Sequence, residues 1–174
     1  MFLELLGTIF AGLAVAGLVM LANRLTGGRL PRWLTPVAAG LGMIAVTIAS
    51  EYGWYERTRA ALPEGFEVVQ TVENRAVFRP WTYLAPYVDR FAALDRASLR
   101  RNAALPDQRI ADLYFFGRWA AVEKMPVLAD CAGGRRASLG DGATFDAAGA
   151  VTDAAWIEVG AEDAVLVALC REGA

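Results

Sequence analysis

Two uninterrupted apolar runs open the chain. Residues 5–23 form 19 positions without a charged side chain, and residues 33–50 form 18. At about 1.5 Å of rise per residue, each helix comes close to spanning the roughly 30 Å of hydrocarbon in a bilayer. Between them lies Asn23-Arg-Leu-Thr-Gly-Gly-Arg-Leu-Pro-Arg32, a polar turn with three Arg and no acid. After residue 50 the pattern changes to short β-branched and aromatic runs between Gly, Pro, Asn and Asp punctuation, which reads as strands and turns. Residues 66–72 and 76–78 are strand candidates, and residues 79–86 read as an extended or looping stretch. Residues 87–101 have helical spacing at Val88, Phe91 and Leu94. They fit better as one arm of a hairpin whose other arm is 109–119 and whose turn is 102–107. The aromatic second arm is expected to be a central strand. Further strands are expected at 125–131, after a Gly133-Gly134 turn at 135–139, on both sides of a turn within 145–151, and at 155–159. Residues 161–170 close the chain as an amphipathic helix with Glu162 and Asp163 in its first turn and apolar residues at 165, 166 and 169.

Charge follows the same division. The chain has 174 residues, 17 basic and 19 acidic, with 56% hydrophobic residues and a mean hydropathy of +0.34. Only Glu4, Arg24, Arg29 and Arg32 fall in the first fifty residues. The remaining 14 basic and 18 acidic side chains give the second part a net charge of −4, which argues against a nucleic-acid partner. The fold class that results is a two-helix transmembrane hairpin plus a small, mainly antiparallel β (α+β) domain with a C-terminal helix. Its divisions are residues 1–55 for the hairpin, 56–65 for a linker and 66–174 for the domain. Glu4 precedes the first apolar run and the arginines follow it, the reverse of a secretory signal, so a retained helix is expected.

The arginine-rich loop 24–32 places itself in the cytoplasm and both termini outside. The expected location is therefore a bacterial inner membrane with the domain in the periplasm. Trp33 marks one interface, and Tyr52, Trp54 and Tyr55 mark the other. Small residues recur at four-residue spacing at Thr8, Gly12 and Ala16, and again at Ala38 and Gly42, with Ala45 and Ala49 nearby. Such faces let helices approach closely where lipid offers no hydrophobic contrast. They serve either the packing of the hairpin on itself or docking on helices of another protein. Gly7, Gly17 and Gly40 add small positions on further faces. Neither apolar run holds a charge in its core, which argues against a proton path or a voltage sensor.

Histidine is absent, which removes the commonest general base and metal ligand. Sixteen of the 17 basic residues are Arg, a bias consistent with a GC-rich genome. Cys131 and Cys170 are the two cysteines, both in the part placed outside the membrane, where the compartment favours a disulfide. A redox pair normally sits as Cys-x-x-Cys, which this one does not. Acidic turn residues 141–146 lack the spacing of a calcium loop. The Gly133-Gly134-Arg135-Arg136 run suits a hairpin turn better than an anion cradle. Trp81, Tyr83, Tyr87, Tyr114, Phe115, Phe116 and Trp119 form either an aromatic core or a ligand cleft. No catalytic, cofactor-binding or metal-ligating residue is assigned, and no cofactor is expected.

The order Asp130-Cys131, Arg135-Arg136, Phe145-Asp146, Gly149-Ala-Val151, Trp156, Val159 and Cys170 resembles the small exported domains called surface-adhesin protein E-like. That resemblance implies a mostly antiparallel β domain closed by a disulfide. Here the domain hangs from two apolar helices rather than a lipid anchor, so the resemblance carries the fold and not an adhesin role. The functional expectation is a non-catalytic accessory subunit of a larger inner-membrane complex, with membrane lipid and transmembrane helices as partners. A respiratory or photosynthetic electron-transfer assembly is one such host. The alternative is a free-standing envelope protein whose domain binds a ligand, a lipid or a peptide.

Overall fold

A computed structural model describes residues 2–102, 105–140, 144, 146, 151–152, 154–160 and 162–171. The chain divides into two compact units, one ending at Trp54 and one beginning at Tyr55. The first unit is helical. Helix α1 covers Phe2–Leu25 and helix α2 starts at Leu34 and runs to Ala60. Both are long and apolar enough to cross a membrane. The connection turns on Gly27 and Gly28, whose φ values of 73° and 77° suit glycine. Asn23 ties the turn together, its side-chain oxygen accepting from the Leu30 N–H at 2.9 Å.

α2 does not stop where its apolar run stops. Residues 56–60, expected as part of a linker, are helical. Nothing between Ser50 and Ala60 breaks a helix except Gly53, which is tolerated at a cost of about 1 kcal/mol. The break comes before Pro63, where the chain must leave the helical region. Gly65, at φ 92°, then turns it into the sheet.

Among the described residues, the second unit is a six-stranded antiparallel sheet in the order β1-β2-β3-β4-β5-β6. The strands are β1 Phe66–Asn74, β2 Tyr87–Arg101, β3 Gln108–Gly117, β4 Glu123–Asp130, β5 Arg135–Ser138 and β6 Ile157–Glu158. The hairpin expected of 87–101 with 109–119 is present, with Phe91 opposite Phe116 and Leu94 opposite Leu113. β3 lies inside the sheet, as its aromatic run indicated. The 15-residue β2 buckles at residues 96–99, between the Asp95↔Asp112 and Arg100↔Ile110 pairs. Ser98 bridges the gap: its hydroxyl accepts from the Asp112 N–H at 2.8 Å and donates to the Asp95 carbonyl at 2.7 Å.

Residues 76–78 are not a strand. They form a turn closed by one isolated Ala76↔Arg79 bridge and followed by a 3-10 turn over Pro80–Tyr83. Buried Thr82 explains the change. Its hydroxyl accepts from the Ala76 N–H at 3.0 Å and donates to the Arg79 carbonyl at 2.7 Å, giving these groups local partners in place of a ladder. Most of the strand–turn–strand expected within 145–151 lies outside the described residues.

Helix α3 covers Ala164–Cys170. Glu162 and Asp163 precede it rather than filling its first turn. Asp163 is the N-cap, accepting from the Leu166 N–H at 2.8 Å. The helix lies on one sheet face, where Val165, Leu166, Ala168 and Leu169 pack with Ala92, Leu94, Ala111, Leu113, Val127 and Ala129. Three of those six sheet positions are Ala, which leaves room for the helix to sit close. The Cys131–Cys170 disulfide fastens its last turn to the end of β4, with the Cα atoms 5.6 Å apart.

The same helix end is held electrostatically. Arg109 is only 7% exposed, and one of its terminal nitrogens donates to the Leu169 carbonyl at 3.0 Å and the Arg171 carbonyl at 3.2 Å. A cation at the carbonyl end of a helix also complements its dipole. Arg109→Met keeps the aliphatic stem and removes the donor. It is expected to cost about 2 kcal/mol in urea unfolding; a loss below about 0.5 kcal/mol would count against the cap. Glu67 on β1 closes the arrangement by pairing with Arg96 and, at 3.3 Å, with Arg171.

Candidate functional site

Two surfaces carry the residues marked by the sequence. The first is the seam between α1 and α2. A Cβ built on Gly12 would collide with Met43 Cε, and one on Gly42 would meet Val15 Cγ2 at 2.8 Å. These two glycines therefore serve the packing of the hairpin on itself. Thr8, Ala16 and Ala38 are half-buried, and the Thr8 hydroxyl donates to the Glu4 carbonyl at 2.9 Å. Ser50 adds a clasp, donating to Glu4 Oε1 at 3.2 Å. Ala45 and Ala49, grouped with this face by spacing, are exposed and stand outside the seam. Gly7, Gly17 and Gly40 have no neighbour within 4 Å of where a Cβ would stand.

Of the belt residues, Trp33 is exposed, and Tyr52 and Trp54 are half-buried. Tyr55 belongs to the sheet unit, where its ring stands edge-on to Phe91 at 5.4 Å.

The second surface is aromatic. The seven aromatics that offered a choice between core and cleft divide four ways. Phe116 stacks on Phe91 at 4.7 Å, and Tyr114 tilts against Phe66 at 5.1 Å, so both are packed. Tyr87 is half-buried, with Arg79 donating to its hydroxyl at 3.4 Å. Trp81, Tyr83 and Trp119 are exposed. Phe115 lines an open cleft of about 340 Å³ with Val72, Phe91, Phe116 and Ala120 among its walls and Arg90 and Glu123 at its polar edge. The cleft can take an apolar group. Among the described residues, no three His, Cys, Asp or Glu side chains gather as a metal site.

The Gly133-Gly134 run makes the expected turn, with Gly134 at φ 63°. Its arginines are engaged. Arg135 Nε pairs with Asp130 at 2.8 Å while its guanidinium lies 4.6 Å from the Trp156 ring, and Arg136 pairs with Asp163 at 3.4 Å. Burial pushes the Asp130 carboxyl upward, but the Gly133 N–H, the Arg135 guanidinium and the Ala132 N–H outweigh it and hold it below the usual value. A lowered folded-state value means stability that is present above the unfolded pKa, about 4, and lost as pH falls through the folded one. The stability lead of the native chain over Asp130→Asn should be complete at neutral pH and shrink below about pH 4. Denaturant titrations across that range test it; a lead that is flat with pH contradicts it.

No protein-family model, curated protein or solved structure matches the chain.

Proposed function

We propose that the protein is a non-catalytic accessory subunit of a larger bacterial inner-membrane complex, of which a respiratory or photosynthetic electron-transfer assembly is one candidate. In this reading both helices span the membrane, loop 24–32 is cytoplasmic, and the sheet domain stands in the periplasm over the host's outer face. The supporting observation is the division of small residues over the hairpin. Gly12 and Gly42 are used between α1 and α2, while Gly7, Gly17 and Gly40 are left open. A hairpin that packed only on itself would need one such face. The oxidised cysteine pair suits an exported domain.

Mild-detergent purification through a tag tests the reading. Co-migration with a larger complex is expected. Gly7→Leu and Gly17→Leu should abolish it while leaving the hairpin folded, because nothing stands where their side chains would go. Gly42→Leu should instead disturb the hairpin, since Val15 is β-branched and stiff. Recovery only as a monomer or homo-oligomer would sink the subunit reading. The open cleft at Phe115 favours a second reading, a free-standing envelope protein whose domain binds a ligand, lipid or peptide. That reading expects the Leu variants to keep full activity.

A further inference from the structure

We propose that the outer edge of β1 is a docking site for an extended, uncharged segment of another protein, which joins the sheet as an added terminal strand. The proposal concerns the sheet unit alone. It holds whether that unit belongs to an accessory subunit or to a free-standing protein.

The first ground is the open ladder on β1. The strand stands at the end of the sheet order, with β2 on one side only. The Gly65 carbonyl accepts from the Arg96 N–H at 2.9 Å, and along the same register Glu67 faces Leu94 and Val68 faces Ala93. Bonded and unbonded residues alternate in an antiparallel ladder. Gly65 and Glu67 therefore bond toward β2, while Phe66 and Val68 turn their N–H and C=O groups away from it. The Phe66 N–H agrees with this phase, since it donates off the sheet to the Pro63 carbonyl at 3.3 Å. The outward N–H and C=O of Val68 have no partner among the described residues. Such an edge is usually blunted by a short strand, a proline or a charge. At the other end of the sheet β6 has two residues. β1 has nine, none of them buried, and its centre Val68-Val-Gln-Thr-Val72 holds neither proline nor charge. Donors and acceptors at strand spacing specify what covers them, which is another extended backbone.

The second ground is the space beside that edge. An open groove of about 640 Å³ follows β1 as far as Thr71, and Tyr55 and Leu62 of the same unit stand in its wall. The side chains of an added strand would alternate between the two sheet faces. On one face Thr71 is opposite Phe91, whose ring meets Tyr55. On the other Gln70 is opposite Ala92, which packs on the α3 side, and there Gln70 and Val72 border the cleft lined by Phe115. Both faces thus offer apolar contact to an added strand, and the β-branched neighbours Val68, Thr71 and Val72 favour β-branched or aromatic partners across the ladder. A second copy of the chain fits less well. Full-length antiparallel pairing of β1 with itself is centred on Gln70 and sets Glu67 against Glu73 of the other copy, a like-charge pair. The register shifts after Val68 and Val72 also bend the edge. A short segment can follow that bend more easily than a whole sheet can.

Photo-crosslinking on the full chain in its native cells tests this. A benzophenone amino acid replaces Gln70 or Thr71, both exposed, with Val167 on the outer side of α3 as the control. Positions 70 and 71 are expected to give adducts with a different protein, several-fold above those at 167. The crosslinked peptides should fall in one short uncharged segment of it. The deciding variant is Val68→Pro, which removes the outward N–H and leaves the bonds to β2 in place. It should lower the adduct yield at 70 and 71 at least ten-fold, whereas Val68→Thr, which keeps the N–H, should leave the yield unchanged. If circular dichroism shows that Val68→Pro alters the fold, α-hydroxyvaline at position 68 replaces the same N–H by an ester oxygen with the side chain intact, and the same ten-fold loss is expected. A yield that survives removal of the N–H means side-chain contact without a ladder and overturns the proposal. Adducts between two copies overturn it in favour of self-association. Adducts confined to the same chain, or none in excess of position 167, overturn it outright.

Discussion

Reduction of the Cys131–Cys170 disulfide, or its replacement by Cys131→Ser with Cys170→Ser, is expected to lower the stability of the sheet domain by about 4 kcal/mol. The bond closes a loop with a sequence separation of 39. A loop of this length restricts the unfolded chain by about that amount in the chain-entropy account. The folded side of the balance points the same way. α3 has seven residues, too few to hold a helix in water by itself. It stays on the sheet through packing, the Asp163 cap, Arg109 and the disulfide. Against a typical domain stability of about 5–15 kcal/mol, the loss is large. Urea unfolding of the oxidised and reduced chain, read by a probe in the sheet, checks it. Amide exchange should show α3 losing protection first, because its anchor goes before the ladder does. A difference below about 1 kcal/mol would show that the loop is already restricted without the bond.

The two units and most strands were visible in the sequence because each carried a local signal, a charge-free run for the helices and turn residues around apolar stretches for the strands. Nineteen residues without charge read as a membrane-length helix whatever surrounds them. The paired arms 87–101 and 109–119 were readable from their turn residues and from the aromatic second arm, in spite of helical spacing at Val88, Phe91 and Leu94. That spacing arises because β2 is buried on both faces from Phe91 to Leu94 and so shows no alternation. The helical extension to Ala60 was hidden, because charges at Glu56, Arg57 and Arg59 look the same in a solvated helix and in a linker. Residues 76–78 misled for the opposite reason. Their composition is that of a strand, and the outcome is decided by Thr82, several residues away.

The candidate surfaces were legible only in part. Four-residue spacing identified Gly12 and Gly42 but swept in Ala45 and Ala49, which lie outside the seam. Spacing gives the face of one helix and says nothing of where the partner helix ends its contact. The aromatic list left core and cleft open, and the structure divides its members between packed, exposed and cleft-lining positions. Phe116 and Tyr114 alternate inward against Phe91 and Phe66, while Trp81 and Trp119 sit in loops where no period applies. Arg109 was not singled out at all. Its one signal is strand parity, two residues before Ala111 and four before Leu113 on the buried face.

Leu169→Ala carries the second large expected effect, about 3–4 kcal/mol. Leu169 is 0% exposed and sits where α3 meets Leu94 and Leu113 of the sheet. Its loss leaves a void under a helix whose backbone is tied on both sides, by Arg109 at the Leu169 carbonyl and by the disulfide at the next residue. The site therefore collapses poorly, which places the cost toward the upper part of the range for such truncations. Val167, 42% exposed on the outer side of the same helix, is the control, and Val167→Ala should change stability by no more than about 0.5 kcal/mol. Combining Leu169→Ala with reduction of the disulfide sharpens the test. Independent effects would add to about 7–8 kcal/mol. The shared helix argues for less. Once either change makes docking of α3 marginal, a folded sheet with the helix released becomes the competing state, and further weakening of the helix cannot lower that state's stability. Urea titrations of the two single and the combined forms should therefore show a combined loss well short of the sum, with the unfolding slope reduced because less surface remains to be exposed. A fully additive result would mean that α3 and the sheet unfold as one unit, and would remove the helix-released state from the account.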